Sequence, residues 1–143
     1  MRKIKFYVKD FVSILPMYVN LDDTLDIVLK KMLYYRVLRL TVCDEDFNII
    51  GIITKDEISN FLVNKEKEID LSTLKKYSAK TVLNKDKGCA IAFFGSSLKD
   101  IVKAMRILNI EYMPVVKSPW NKRLKGFLEL REIQKVMEVA SVC

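Results

Sequence analysis

Apolar and polar positions fall into a series that occurs twice in the 143-residue chain. In the first occurrence Leu25, Val28, Leu29, Met32 and Leu33 follow the i, i+3, i+4, i+7, i+8 spacing of a helix with one buried face. Asp23 or Thr24 stands where such a helix needs its N-cap. Val37 to Cys43 is apolar with little alternation, which predicts a strand buried on both faces. Asp44 to Asn48 is a tight polar turn, and Ile49 to Ile53 returns as the antiparallel partner. Thr54-Lys55-Asp56-Glu57 then has the form of a capping box, opening a helix with Ile58, Phe61 and Leu62 on one face.

The same order returns downstream. Ala90 to Phe94 is predicted as a strand, Ser96 or Ser97 as a cap, and Leu98, Ile101, Val102, Met105 and Leu108 as a helix face. Tyr112 to Val116 and Leu124 to Leu128 form the paired strands around Ser118-Pro119-Trp120-Asn121, and Leu130 to Val139 forms the last helix. Leu25, Met32 and Val42 map to Leu98, Met105 and Val115 at a constant offset of 73, while Gly51 maps to Gly126 at 75 because the second turn is longer. Ahead of the first copy, Ile4, Phe6 and Val8 alternate with Lys3 and Lys5 as a short strand or extended arm. One helical turn at Val8 to Val12 and an extended piece from Pro16 to Leu21 come next. The expectation is an α+β fold of two strand–helix–strand–strand–helix repeats packed with pseudo-two-fold symmetry. The first repeat with its N-terminal arm takes 1–63, a Lys- and Glu-rich linker 64–76, and the second repeat 77–143. A cleft between the copies is the expected ligand site.

Composition narrows the function classes. Half of the residues are apolar and 30% charged, a globular balance, and no apolar run reaches the length of a membrane span. The basic start, Met1-Arg2-Lys3-Ile4-Lys5, has no signal-type apolar core behind it, so a cytoplasmic location is expected. The chain contains no histidine, and Cys43, Cys89 and Cys143 form no C-x-x-C pair. Without these, a metal site and the usual acid–base or nucleophilic machinery are not expected, and the chain reads as a non-enzyme. Cys43 and Cys89 lie in apolar runs and read as core residues. The net charge of +7 is lopsided: residues 1–72 hold 11 Lys and Arg against 12 Asp and Glu, and residues 73–143 hold 14 against 6. That excess suggests an anionic partner for the second half.

The ordered set of segments, found twice, resembles the cystathionine-β-synthase (CBS) domain in its tandem form, the Bateman module. "VKDFV … YVNLDDTLDIVLKKMLYYRVLRLTVCDEDFNIIGIITKDEI" carries it in the first copy and "SAKTVL … GSSLKDIVKAMRILNIEYMPVVKSPWNKRLKGFLELREI" in the second, together spanning roughly residues 8–140. The resemblance implies a regulatory module that binds an adenosine-containing ligand, an adenine nucleotide or S-adenosylmethionine, with no required cofactor. It also implies a homodimer, signalling to its dimer mate or to a regulated protein partner. The family's nucleotide motif, Gly-hydrophobic-x-Ser/Thr-x-x-Asp, falls on Gly51, Thr54 and Glu57, with Glu in the Asp place. Met17 and Tyr18 in the first copy, and Ala90 and Ile91 in the second, take the places that line the family's ligand. Arg39 takes the place of a phosphate-facing cation. In the second copy Glu129 stands in the Ser/Thr place and Glu132 in the Asp place. A carboxylate there disfavours phosphate and suits a cationic ligand better.

Each assignment has a plainer structural counterpart. Thr54 and Glu57 serve equally as a capping box, Arg39 as half of an ion pair, and Met17, Tyr18, Ala90 and Ile91 as core. A second functional reading is an adaptor for RNA or an acidic protein, with a vestigial ligand cleft. It rests on Lys117, Lys122, Arg123 and Lys125 around Trp120, a cluster that is also what a solubilised hairpin tip looks like.

Overall fold

The protein is described from a computed structural model covering residues 5–84 and 88–142. The first residues of the expected N-terminal arm, and Cys143, lie outside the described residues.

Two compact units make up the fold. Unit 2, Met17–Cys89, contains β1 (Tyr18–Asn20), α1 (Leu25–Tyr35), β2 (Arg39–Cys43), β3 (Ile49–Thr54), α2 (Lys55–Lys65), α3 (Leu71–Lys76) and α4 (Ala79–Val82). Its sheet runs β1-β2-β3, with β1 parallel to β2 and β2 antiparallel to β3. Leu40 to Cys43 are all buried, as a strand with covers on both faces requires. Leu25, Val28 and Met32 press the α1 stripe into the same core.

Unit 1 joins Met1–Pro16 to Ala90–Cys143. A 3-10 turn over Val8–Phe11 precedes β4 (Ala92–Phe93), α5 (Leu98–Leu108), β5 (Tyr112–Ser118), β6 (Asn121–Glu129) and α6 (Leu130–Val142). The sheet order β4-β5-β6 and its parallel-then-antiparallel pairing copy those of unit 2. Val8, Ala92, Leu98, Val102, Met105, Met113, Val115, Leu128 and Ile133 form its core. The strand expected over Ala90 to Phe94 contracts to two paired residues. The two paired strands lengthen until only Pro119 and Trp120 turn the corner.

The segment before each repeat packs in the unit of the other repeat. Residues 1–63 are continuous in sequence, but the main chain of 6–13 bonds to residues of the second repeat. Val8 N donates to Ser96 O (3.1 Å), Lys9 N to Phe94 O (3.3 Å), and Ser13 and Phe127 exchange bonds of 2.9 and 2.8 Å. The segment before the second repeat does the same in unit 2, where Ala79 N donates to Asp23 O (2.8 Å) and Lys80 N to Leu21 O (2.9 Å). Leu98 N to Phe6 O and Leu25 N to Tyr77 O complete the match. Each segment thus supplies a main-chain acceptor to the first N–H of a helix, which has no partner within the helix itself.

Candidate functional site

The first-repeat candidates lie along the unit 2 sheet, with Arg39 and Thr54 at one end and Gly51 toward the other. Cross-strand pairing sets Arg39 on β2 directly opposite Thr54 on β3, the last strand residue and the N-cap of α2. The free N–H groups of a helix start and its dipole favour an anion beside that position. Thr54 Oγ1 accepts from Glu57 N (3.2 Å), and Glu57 Oε1 accepts from Thr54 N (3.2 Å) and Thr54 Oγ1 (2.9 Å). The capping box is therefore made, and Glu57 is already engaged by the hydroxyl that a ligand would use. Arg39 is half-buried, and the ion pair among the described residues joins Lys76 to Glu66 (3.0 Å), not Arg39.

Met17 and Tyr18 reach this sheet through β1. Thr41 N donates to Met17 O (3.1 Å) and Tyr18 pairs with Thr41, so both lie on the strand next to β2. Met17 is buried and Tyr18 half-buried. Lys31 Nζ donates to Tyr18 O (2.6 Å) and lies 4.9 Å from the centre of the Tyr18 ring. Burial pushes the Lys31 ammonium pKa down, and the Asp23 carboxylate partly opposes that shift. From the sequence, Lys31 belongs only to the cationic last part of the helix. The signal that finds it is its spacing three residues after buried Val28, which puts its stem beside the core stripe.

Gly51 sits opposite Val42, and a Cβ built on it would lie 3.1 Å from Leu83 Cδ1. The space that the glycine opens is thus taken by a buried side chain of the chain itself.

In unit 1 the equivalent cross-strand pair is Tyr112 and Glu129, a phenol and a carboxylate where unit 2 has a guanidinium and a hydroxyl. Burial raises the Tyr112 pKa, and the Glu129 and Glu111 carboxylates add to the rise against an opposing effect of Arg131. Glu129 is half-buried and Glu132 exposed, while Ala90 and Ile91 are half-buried, with Ala90 packed on the unit 1 core. The ten candidates thus divide six to unit 2 and four to unit 1.

A depression of about 590 Å³ lies at the other end of the unit 2 sheet, beyond the ends of β1 and β2. None of the ten candidates lines it. Asp22, Asp23, Asp44, Glu45 and Asp46 surround it with Lys80 and Phe47, a charge balance that repels phosphate. Main-chain donation from Asn48 leads the causes that hold the Asp44 carboxyl below its usual range.

A family model described as CBS domain matches residues 8–64 of the chain. A CBS domain-containing protein of Dictyostelium discoideum is 34% identical over 119 residues, covering 79% of each chain. Among solved structures, a putative acetoin utilization protein from Vibrio cholerae is similar with a TM-score of 0.75 at 14% identity, over 98% of both chains. A CBS domain pair crystallised with 5′-methylthioadenosine and S-adenosyl-L-methionine is similar with a TM-score of 0.66 at 18% identity. That match covers 96% of this chain and 99% of the other. These structural likenesses establish the fold.

Proposed function

The chain belongs to the CBS-domain family, and from that premise we propose that it is a regulatory module that senses an adenosine-containing ligand and has no catalytic activity of its own. The observation that carries the reading is the pairing of Arg39 with Thr54 at the N-terminus of α2, beside Met17 and Tyr18 on the neighbouring strand. A guanidinium and a helix start meet phosphate, and an apolar strand edge meets an adenine face. Glu57 would accept from the ribose hydroxyls after exchanging its bond to Thr54.

A phosphate-bearing ligand belongs against the first repeat. At the equivalent place in the second, the Glu129 carboxylate repels phosphate and, beside the uncharged Tyr112 phenol, suits a sulfonium or an uncharged ligand, as in S-adenosylmethionine or an adenosine thioether. Binding would act by population shift, since a ligand favours whichever conformation it fits better, and a dimer mate or protein partner reads the result.

Calorimetric titration of the full chain with AMP, ADP, ATP and S-adenosylmethionine tests the reading. At least one saturable isotherm is expected, and four flat traces refute it. Arg39→Ala should weaken a phosphate-bearing ligand by about tenfold or more, the scale of a charge-assisted hydrogen bond. Glu129→Ser should admit such a ligand to the second repeat.

A further inference from the structure

The hairpins β2–β3 and β5–β6 hold the same place in their repeats, yet their tips differ in length, charge and apex. In the first, strands of five and six residues meet at a turn carrying Asp44, Glu45 and Asp46 and no cation. In the second, strands of seven and nine residues run to a two-residue apex closed by the pairing of Ser118 with Asn121. Lys117, Lys122, Arg123 and Lys125 are all exposed on this tip, and no carboxylate lies between Lys117 and Gly126. The fold does not demand such charge, because the equivalent hairpin carries the opposite sign. Val115 pairs with Gly126 and Val116 with Leu124, which leaves Lys125 as the extra residue of a bulge. A bulge turns the strand and re-aims its side chain. At the apex Trp120 is 90% exposed, and Arg123 N donates to Asn121 Oδ1 (3.1 Å) within the start of β6.

We propose that the β5–β6 tip binds single-stranded nucleic acid, with Trp120 stacked on a base and the four cations against the flanking phosphates. An indole held between Pro119 and Asn121 offers one broad apolar face and little else. That is too little area to seat in a bilayer or to fill a protein groove, but a base needs only a π-face. The cations supply the sequence-independent part of the affinity. This inference stands apart from the adenosine-ligand reading, which concerns other residues.

Trp120 is the single tryptophan of the chain, so its emission reports the tip alone. Titration of the full chain with an oligouridylate should quench that emission without a blue shift. The logarithm of the affinity should fall with the logarithm of salt at a slope near −3 for four phosphate contacts, about −0.7 for each. In anisotropy with a labelled oligouridylate, Trp120→Ala should weaken binding by about tenfold while Trp120→Phe keeps most of it. Lys122→Ala and Arg123→Ala should each make the slope shallower by about 0.7. The positions substituted are exposed, so melting curves should not move. Unchanged emission, or full affinity in Trp120→Ala, overturns the proposal. So does an equal response to polyglutamate, which marks an acidic-protein surface, or a blue shift confined to phosphatidylserine vesicles, which marks a membrane anchor.

Discussion

Gly126 and Gly51 occupy matching places but constrain the backbone differently. Gly126 has φ +156°, and a Cβ there would lie 2.6 Å from both Ser13 O and Val12 Cγ1. Gly51 has room up to 3.1 Å, and its neighbour is the end of a leucine that can turn. Gly126→Ala should therefore cost about 3 kcal/mol, from backbone strain and a main-chain clash together. Gly51→Ala should cost about 1 kcal/mol, largely relieved by Leu83→Val in the double variant. Urea titrations of the parent and the three variants check both values, and equal costs at the two glycines would refute the distinction. The thiols of Cys43, which is buried, and Cys89, which is half-buried, are also a residue-scale matter. Burial first, then the Asp44 charge and Cys89, push the Cys43 thiol up to about 12, and burial pushes Cys89 up to about 11. In a Cys143→Ser background, neither should react with a maleimide at pH 8 until the chain is unfolded, because the thiolate is the reacting form. Rapid labelling of the native chain would contradict this.

At the scale of elements, caps decide where the helices begin and end. α1 and α5 close alike: Arg36 and Asn109 take left-handed conformations, and Val37 N and Ile110 N donate back to Met32 O and Met105 O (both 2.9 Å). Arginine bears the Cβ penalty of that conformation in full, while asparagine tolerates it. Arg36→Gly should thus stabilise the chain by about 0.5–1 kcal/mol and Asn109→Gly by less, measured by thermal melting. At the start of α3 the Asp70 carboxylate accepts from Thr73 N (3.0 Å) and Ser72 Oγ (2.7 Å), and these hydrogen bonds hold its pKa below the usual range, with Ser72 contributing most. A carboxyl depressed in the folded state stabilises fully above the ordinary carboxylate range and loses that contribution as pH falls through its folded value. The melting temperature of Asp70→Ala should lie below the parent's at pH 7, with the gap narrowing as pH falls below the ordinary carboxylate range. A gap independent of pH would remove the charge from the account. These local signals were readable in the sequence: the Thr54 capping box and the α1 and α5 stripes as far as Met32 and Met105 need only neighbours within one or two turns, whereas Leu33 and Leu108, expected on the same faces, are exposed at the helix ends. The lengths of β5 and β6 were not, because Lys122, Arg123 and Lys125 stand exposed in the first five residues of β6, none of them buried to impose alternation. Nor was the fold-back of Lys31 onto Tyr18, whose contact spans 13 residues.

At the scale of the whole molecule, chain order and packing order part company. The repeat was legible because its anchors keep one offset, and the candidate residues Arg39, Thr54, Met17 and Tyr18 do share one sheet. The destination of the entry segments was not legible, since main-chain bonds between Ser13 and Phe127 leave no trace in hydrophobic spacing. Val8 makes the difference measurable. It is fully buried in the unit 1 core with Ala92, Leu98, Met113 and Leu128, although it precedes the first repeat in sequence. Val8→Ala should cost about 2 kcal/mol from lost burial and an unfilled cavity. Chain order would place that loss in the first repeat; the packing places it in the second. By native-state hydrogen exchange, protection of the Leu98 and Phe127 amides, which donate to Phe6 O and Ser13 O, should fall by about 30-fold, the equivalent of 2 kcal/mol. Amides of β2 and β3 should keep theirs if the two units open separately. Lost protection at Val42 and Ile53 with Leu98 unchanged would return the segment to the first repeat. Equal loss in both units would mean that they unfold as one cooperative body.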